Sequence, residues 1–598
     1  MSEAIDVTTT PNIAKADKGF FGHPRGLAIL FFTEMWERFS YYGMRGLLIL
    51  YLTQHFLFSD ERSALMYGAY TALVYVMTII GGSLADRYLG QRKAVTFGAI
   101  LLVLGHFGMA FEGNGSKEIL TYQGGDYQVT LDGRGGTANQ IIVSDTGTSK
   151  ISFTDGAAEM VIEDPAAVGL PATIAKTDYT TRTEREPLFV NILYLSLALI
   201  IAGVGYLKAN ISTIVGALYG FEDPRRDSGF TLFYMGINLG SFLSSITCGI
   251  LGIVYGWKYG FGLAGFGMLA GLLVFLWGQK YLGGHAEPPS VEKLKKSFLG
   301  PINVEMACYM AGLVIIGVSM LFVMNAHLIP DGFVLFLGVV VFLFLVGYAL
   351  SKLKGDERSR MFAAIYFVLA QIPFWALFEQ AGSSLNLFTD RLVNKSMMGV
   401  EVPAPVFQAL NAGFIFIFAP IVAWMWIALA KRKKEPSTPV KFAIGVFGVG
   451  LGFLALVAGI QASGPTGLTA VYFIFLIYWI HTMAELMLSP VGLSAVTKMA
   501  PARVVGMAMG SWFLYSGLSN YLAGVIARGT GAETIGGQLT DIAAAKATYV
   551  SVYTNVAYVA MGIAVVMLLI SPIIKSWMKL NAPKLDGAPA GAATSAAE

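Results

Sequence analysis

Apolar residues in this chain come in blocks of about 20, separated by short polar stretches, and the rhythm runs from residue 27 to residue 578. A helix of about 20 residues rises about 30 Å, the thickness of a bilayer's hydrocarbon core. The blocks therefore predict fourteen membrane-spanning helices, near 27–54, 64–85, 94–111, 188–214, 228–253, 257–281, 302–325, 332–352, 360–386, 404–430, 441–461, 468–495, 504–528 and 548–578. An even number of spans returns the carboxyl terminus to the side of the amino terminus.

One stretch breaks the rhythm. Residues 112–187 are polar and rich in Gly and Thr, with alternating runs at Tyr127–Leu131, Ile141–Ser144, Ile151–Thr154 and Met160–Ile162. A period of two between Asp-Gly and Gly-Gly turns predicts a small β-rich module. It follows an odd span, so it is expected outside, and it carries about twice as many acids as bases. A structured loop, a partner-docking face and a peptide-capturing module all remain open for it.

Composition agrees with the pattern. The 598 residues are 55% hydrophobic and only 13% charged, whereas soluble domains are nearer 25% charged. A soluble globular enzyme is excluded. The sequence also has no H-E-x-x-H zinc pattern, no nucleophile elbow with triad partners and no phosphate-cradling loop. Cys248 and Cys308 both lie in apolar segments and are too few for a disulfide framework. The histidines lack ligand spacing, so no metal site is expected. Nothing suggests nucleic acid, and no obligate protein partner can be named.

The distribution of charge orients the chain. Arg87, Arg92 and Lys93 follow span 2, Arg225 and Arg226 follow span 4, and Lys293, Lys295 and Lys296 follow span 6. Lys352, Lys354, Arg358 and Arg360 lie just before or at the start of span 9, and Lys431, Arg432, Lys433 and Lys434 follow span 10. All belong to the side that carries Lys15 and Lys18, while the loops around Pro330 and Pro465 carry no Lys or Arg. By the positive-inside rule both termini are expected in the cytoplasm. Residues 1–20 are polar, with no signal-peptide core, so the amino terminus is expected to be uncleaved.

Charges at mid-membrane cost about 2.5–3.5 kcal/mol each and need a reason. Span 1 reads TEMWERFSYYGMRGLL, which places Glu34, Glu37, Arg38, Tyr41, Tyr42 and Arg45 within about 140° of one helix face. That face must look into protein or water. Buried ion pairs are poor stabilisers beside packed apolar side chains, so a functional cavity accounts for it better than a static ladder. Lys208 in span 4, Glu379 in span 9 and Glu485 in span 12 add isolated charges, and His481 and Ser489 extend the polar face around Glu485. Cationic and anionic poles together suit a zwitterion. In the loop GGSLADRYLGQRK, Asp86, Arg87 and Arg92 join spans 2 and 3 and suit a latch at the cytoplasmic face.

That loop resembles the signature of the major facilitator superfamily. Within it, ExxERFxYYG at Glu34–Gly43, FYMGINLGSF at 233–242, FWALFEQAGSSL at 374–385 and ELMLSPVGLSAVTKMAP at 485–501 resemble, in order, the motifs of the proton-coupled oligopeptide transporter family, bacterial type. The likeness covers the chain except for 112–186 and the tails. Where the family often has Lys-Pro-Asn, this chain has Lys208-Ala209-Asn210.

The resemblance implies an all-α polytopic membrane protein with the major facilitator fold. Twelve core helices would form two six-helix bundles, 24–111 with 188–281 and 356–580, with two extra helices at 282–355, the β-rich insertion at 112–187, and cytoplasmic tails at 1–23 and 581–598. It implies proton-driven symport of di- and tripeptides across the inner membrane, with the proton as coupling ion and no other cofactor. Arg38 and Lys208 would hold the peptide carboxylate, and Glu485, Asn238 and Asn411 its amino terminus. Tyr41, Tyr42, Tyr75, Trp512 and Ser516 would line side-chain pockets. Glu34, Glu37 and Glu379 would take part in proton coupling, with Arg45 and Glu379 as a gate pair. A carrier of another small zwitterion or anion such as nitrate, and a non-transporting peptide sensor, are the alternatives.

Overall fold

The computed structural model describes residues 19–133, 139–219, 223–501 and 504–579, apart from Asp155, Asp331 and several side chains between 489 and 498. Lys15, Lys18, the Ser489 side chain and the 581–598 tail lie outside the described residues.

Fourteen long helices are present among the described residues. They are α1 (Arg25–Leu50), α2 (Asp60–Leu84), α3 (Gln91–Met109), α4 (Pro187–Ala217), α5 (Arg226–Ile250), α6 (Trp257–Gly278), α7 (Val304–Met324) and α8 (Asp331–Lys352). The second half holds α9 (Gly355–Phe378), α10 (Ala409–Lys431), α11 (Thr438–Ala462), α12 (Tyr472–Met499), α13 (Val505–Gly529) and α14 (Ile542–Met578). Each expected span has its helix. Eleven are long and apolar enough over their described residues to cross a membrane. The other three, α1, α12 and α13, all contribute side chains to the site described below.

Two hydrophobic cores organise the helices. One buries Leu30, Tyr51, Leu102, Tyr206 and Phe261 from α1–α6 and also takes in Cys308 and Ile315 of α7. The other buries Phe367, Phe388, Phe442, Phe453 and Tyr553 from α9–α14. The extra pair divides between them. The hydroxyl of Tyr206 (α4) donates to the Cys308 carbonyl of α7 at 2.7 Å, whereas that of Tyr515 (α13) donates to Gly338 of α8 at 2.6 Å. Between the bundles, α2 and α13 run so close that a Cβ on Gly68 would sit 2.8 Å from the Gly524 Cα. Only glycine allows this approach.

The insertion is a seven-stranded sheet in the spatial order β6-β5-β4-β3-β2-β1-β7. Its strands are β1 (Lys117–Tyr122), β2 (Gly125–Asp132), β3 (Asn139–Val143), β4 (Thr148–Phe153), β5 (Glu159–Ile162), β6 (Thr173–Ala175) and β7 (Tyr179–Glu184). Leu120, Val129, Ile142, Met160 and Ile174 form its own small core. We call its end of the molecule the sheet end, and the end holding the α2–α3 loop the loop end.

Candidate functional site

A cavity lies between the bundles, with about 1390 Å³ of empty space including its open part. Of the expected site residues, Arg38, Tyr42 and Arg45 of α1, Tyr75 of α2, Lys208 of α4 and Asn238 of α5 line it from one side. Glu379, Asn411, Glu485, Trp512 and Ser516 line it from the other. Glu34, Glu37 and Tyr41 stand behind that wall: all three are buried, and the two carboxylates pair with Arg38 of the wall.

Helix α1 is pressed against α5. A Cβ on Gly240 would collide with the Met35 carbonyl and fall 3.2 Å from the Arg38 Cβ. This contact fixes the side of α1 that faces the cavity. The Arg38 Nε donates to Glu34 Oε1 at 2.8 Å and lies 3.0 Å from Glu37 Oε2. Neither oxygen of Glu37 makes a hydrogen bond, although the residue is only 1% exposed. A carboxylate buried this way is costly unless paired, and Arg38 lies within ion-pair distance of it. Lys208 Nζ rests 4.0 Å from the centre of the Tyr75 ring, a cation–π contact that holds the ammonium at the wall.

The opposite wall is hydrogen-bonded into shape. Asn411 donates to Glu485 Oε2 at 2.7 Å and to Thr482 at 3.1 Å, which orients the carboxylate. Ser516 donates to Gln371 at 3.2 Å, and Gln371 donates to the Trp512 carbonyl at 3.2 Å. His481, one turn before Glu485, meets the Val449 carbonyl at 3.1 Å. Asn238 spends its amide on the Tyr234 carbonyl of its own helix, 3.2 Å away. The cavity therefore carries fixed cations on the α1–α4 side and a fixed anion on the α12 side. It can hold a short molecule with charges of opposite sign at its two ends.

At the sheet end the cavity is shut. Helix α9 runs through Pro373 to Phe378, and the chain turns at Glu379–Gly382 before a short helix, Ser384–Leu392. This break carries Glu379 to Arg45, with which it pairs directly, and Arg45 also donates to the Tyr67 hydroxyl at 2.7 Å. Beyond that pair the bundles are joined by Asn386 to the Gly46 carbonyl at 2.8 Å and Gln54 to Asp390 at 2.7 Å. Arg391 grips Asp60 through two bonds of 2.7 and 3.0 Å, with both side chains 3% exposed. Sequence reasoning missed this second pair, Tyr67, Gln371 and Asn520 of the cavity wall. Arg391 and Asp60 fall between the expected spans, and only their pairing across 331 residues marks them.

At the loop end, Arg92 clasps Glu287 at 2.6 and 2.8 Å and holds that carboxyl below the usual carboxylate range. Asp86 accepts from Gln91 at 2.9 Å, and Arg87 is exposed. The clasp joins α3 to the segment after α6, within the first bundle. Its partner, Glu287, was not foreseen.

Comparison with known proteins agrees with this architecture. The model of the family described as "POT family" matches residues 92–542. The chain is 34% identical to the uncharacterized transporter YclF of Bacillus subtilis, over 94% of this chain and 96% of that protein. It is 30% identical to dipeptide and tripeptide permease A of Escherichia coli, over 92% and 93% of the two chains. A crystal structure of a variant of a peptide transporter POT in complex with alafosfalin superposes with a TM-score of 0.72 at 31% identity, over 96% of this chain and all of that one.

Proposed function

The chain belongs to the POT family, and from that premise we propose that it imports di- and tripeptides by proton-driven alternating access. The observation that carries the reading is the placement of Arg38 and Lys208 across one cavity from Glu485. A guanidinium offers a planar fork to the peptide carboxylate, and the ammonium of Lys208 adds a point charge. Glu485, held by Asn411, receives the peptide ammonium together with the carbonyl oxygens of Asn238 and Asn411. Charge at both ends recognises the backbone, so side chains are free to vary along the walls formed by Tyr42, Tyr75, Trp512 and Ser516. The distance between the poles limits length to about two or three residues.

The basic loops and the even span count support a multi-pass arrangement in the inner membrane, with both termini in the cytoplasm and the sheet end outside. The conformation is then closed outward. Proton arrival at Glu37 weakens its hold on Arg38, and peptide binding draws on the same arginine. Protonation of Glu379 weakens its pair with Arg45, and both events bias the equilibrium between outward- and inward-open states. Each inward proton supplies about 2.3 kcal/mol per 100 mV and about 1.4 kcal/mol per pH unit. One proton thus suffices for concentrative uptake of a neutral peptide.

Replacing Glu37 with Gln tests the coupling. Gradient-driven uptake should vanish while peptide counterflow persists; full active uptake by Glu37→Gln would remove Glu37 from the mechanism.

A further inference from the structure

The sheet inserted between α3 and α4 touches more than its own bundle. On the first bundle it is fixed firmly: the Ser116 amide donates to the His55 carbonyl at 2.9 Å, and Arg185 donates to the Phe56 and Leu57 carbonyls at 2.6 and 2.5 Å. On the other side it meets a hairpin between α13 and α14, Thr534–Ile535 paired with Gln538–Leu539 around Gly536 and Gly537. Both glycines have φ near +60 to +80° (59° and 82°), the left-handed backbone a two-residue turn requires.

The contact is built like a protein core. Ile535, 4% exposed, is a member of the sheet's own hydrophobic cluster, beside Leu120, Val129 and Ile142. Polar bonds surround it. Gln140 donates to the Ile535 carbonyl at 2.5 Å, the Gly536 amide donates to the Glu118 carboxylate, and Lys176 pairs with Glu533 at 2.5 Å. The sheet belongs by sequence to the first half of the chain and the hairpin to the second, and they meet beyond the Arg45–Glu379 and Arg391–Asp60 pairs at the same end.

We propose that the inserted sheet is a clamp across the outer mouth: by seating the α13–α14 hairpin in its core it favours the outward-closed state, and it must release the hairpin each time that mouth opens. This rests on the alternating-access reading above. A decorative loop has no need to bury an apolar residue of the opposite bundle. Release exposes Ile535 and breaks the polar contacts around it, so the clamp biases the equilibrium towards closure without locking it. The device sits outside the membrane and leaves the cavity untouched.

The test reads conformation directly. Spin labels at Tyr259→Cys and Tyr472→Cys, both exposed and both at the sheet end, report the separation of the bundles in lipid nanodiscs, and the buried native cysteines stay unlabelled. In this background, Ile535→Asp should raise the ratio of long to short separations at least about tenfold, the effect of no longer burying one isoleucine. A second pair, Lys176→Cys with Glu533→Cys, joined by a reducible bifunctional linker, needs no core substitution. Linking should hold the distribution at the short separation and stop uptake of di-alanine, and reductant should restore both. An unchanged distribution in Ile535→Asp, or full uptake by the linked protein, overturns the clamp. If the protein binds no di-alanine before linking, the peptide reading fails, and the distance distributions still decide the clamp.

Discussion

The buried pair Asp60–Arg391 offers a measurable grip on the closed mouth. Replacing Arg391 with Leu leaves the Asp60 carboxylate 3% exposed, with the Ala532 amide at 3.2 Å as a remaining donor. Removing one partner of a buried ion pair costs about 3–5 kcal/mol where the survivor stays buried. Here the survivor has an escape: opening the outer mouth hydrates Asp60, so the cost falls on the closed state alone. Allowing about half for water penetration and relaxation leaves about 2 kcal/mol, or about 30-fold in the open-to-closed ratio at about 1.4 kcal/mol per decade. Pulsed dipolar spectroscopy on labels at positions 259 and 472 measures that ratio. The double variant Asp60→Leu with Arg391→Leu removes both charges and should fall back to within about threefold of wild type, because no uncompensated charge remains. A shift below threefold in Arg391→Leu, or an equal shift in the double variant, would refute the reasoning.

Two further outcomes follow from the same geometry. Lys208→Gln should raise the KM for di-alanine about 10- to 100-fold, the range of a charge-assisted hydrogen bond, and should change much less for a carboxyl-amidated dipeptide; equal losses for both would deny Lys208 its carboxylate. Burial between sheet and hairpin raises the pKa of Glu118 above the usual carboxylate range, against the opposing pull of the Gly536 amide and of Arg185. A group whose pKa is raised on docking stabilises the docked state below its undocked pKa, near 4.5, and loses that contribution as pH rises through the raised value. The labelled protein should therefore open more readily as the outside pH rises through and above about 4.5, and Glu118→Gln should flatten that dependence.

How far the sequence could be read depends on which forces speak locally. The fourteen spans were legible because a bilayer demands about 20 apolar residues each time, a constraint written into contiguous chain. The face of Glu34, Glu37, Arg38 and Arg45 was legible because helical periodicity places those positions together without knowledge of any neighbour. Four of the seven strands showed as alternating runs, whereas β1, β6 and β7 did not. The Thr-rich β7 exposes most of its side chains, so alternation is weak there. Partners across long separations were illegible. Nothing near Asp60 points to Arg391, nothing near Arg92 points to Glu287, and Ile535 reads as an ordinary loop residue until the sheet of the other half closes over it. The motifs named the cationic and anionic poles. Only the fold could show that Glu34, Glu37 and Tyr41 stand behind the cavity wall and that Gln371 and Asn411 hold that wall in place.

Uptake of labelled di-alanine by the purified protein in liposomes, with pH gradient and membrane voltage imposed independently, addresses the account most directly. Inward proton gradient and inside-negative voltage should each drive accumulation above the external concentration, a protonophore should abolish it, and an amino-acetylated dipeptide should compete poorly because Glu485 loses its ammonium. Uptake that stops at equilibrium whatever gradient is applied, or that is indifferent to both blocked termini, would contradict it.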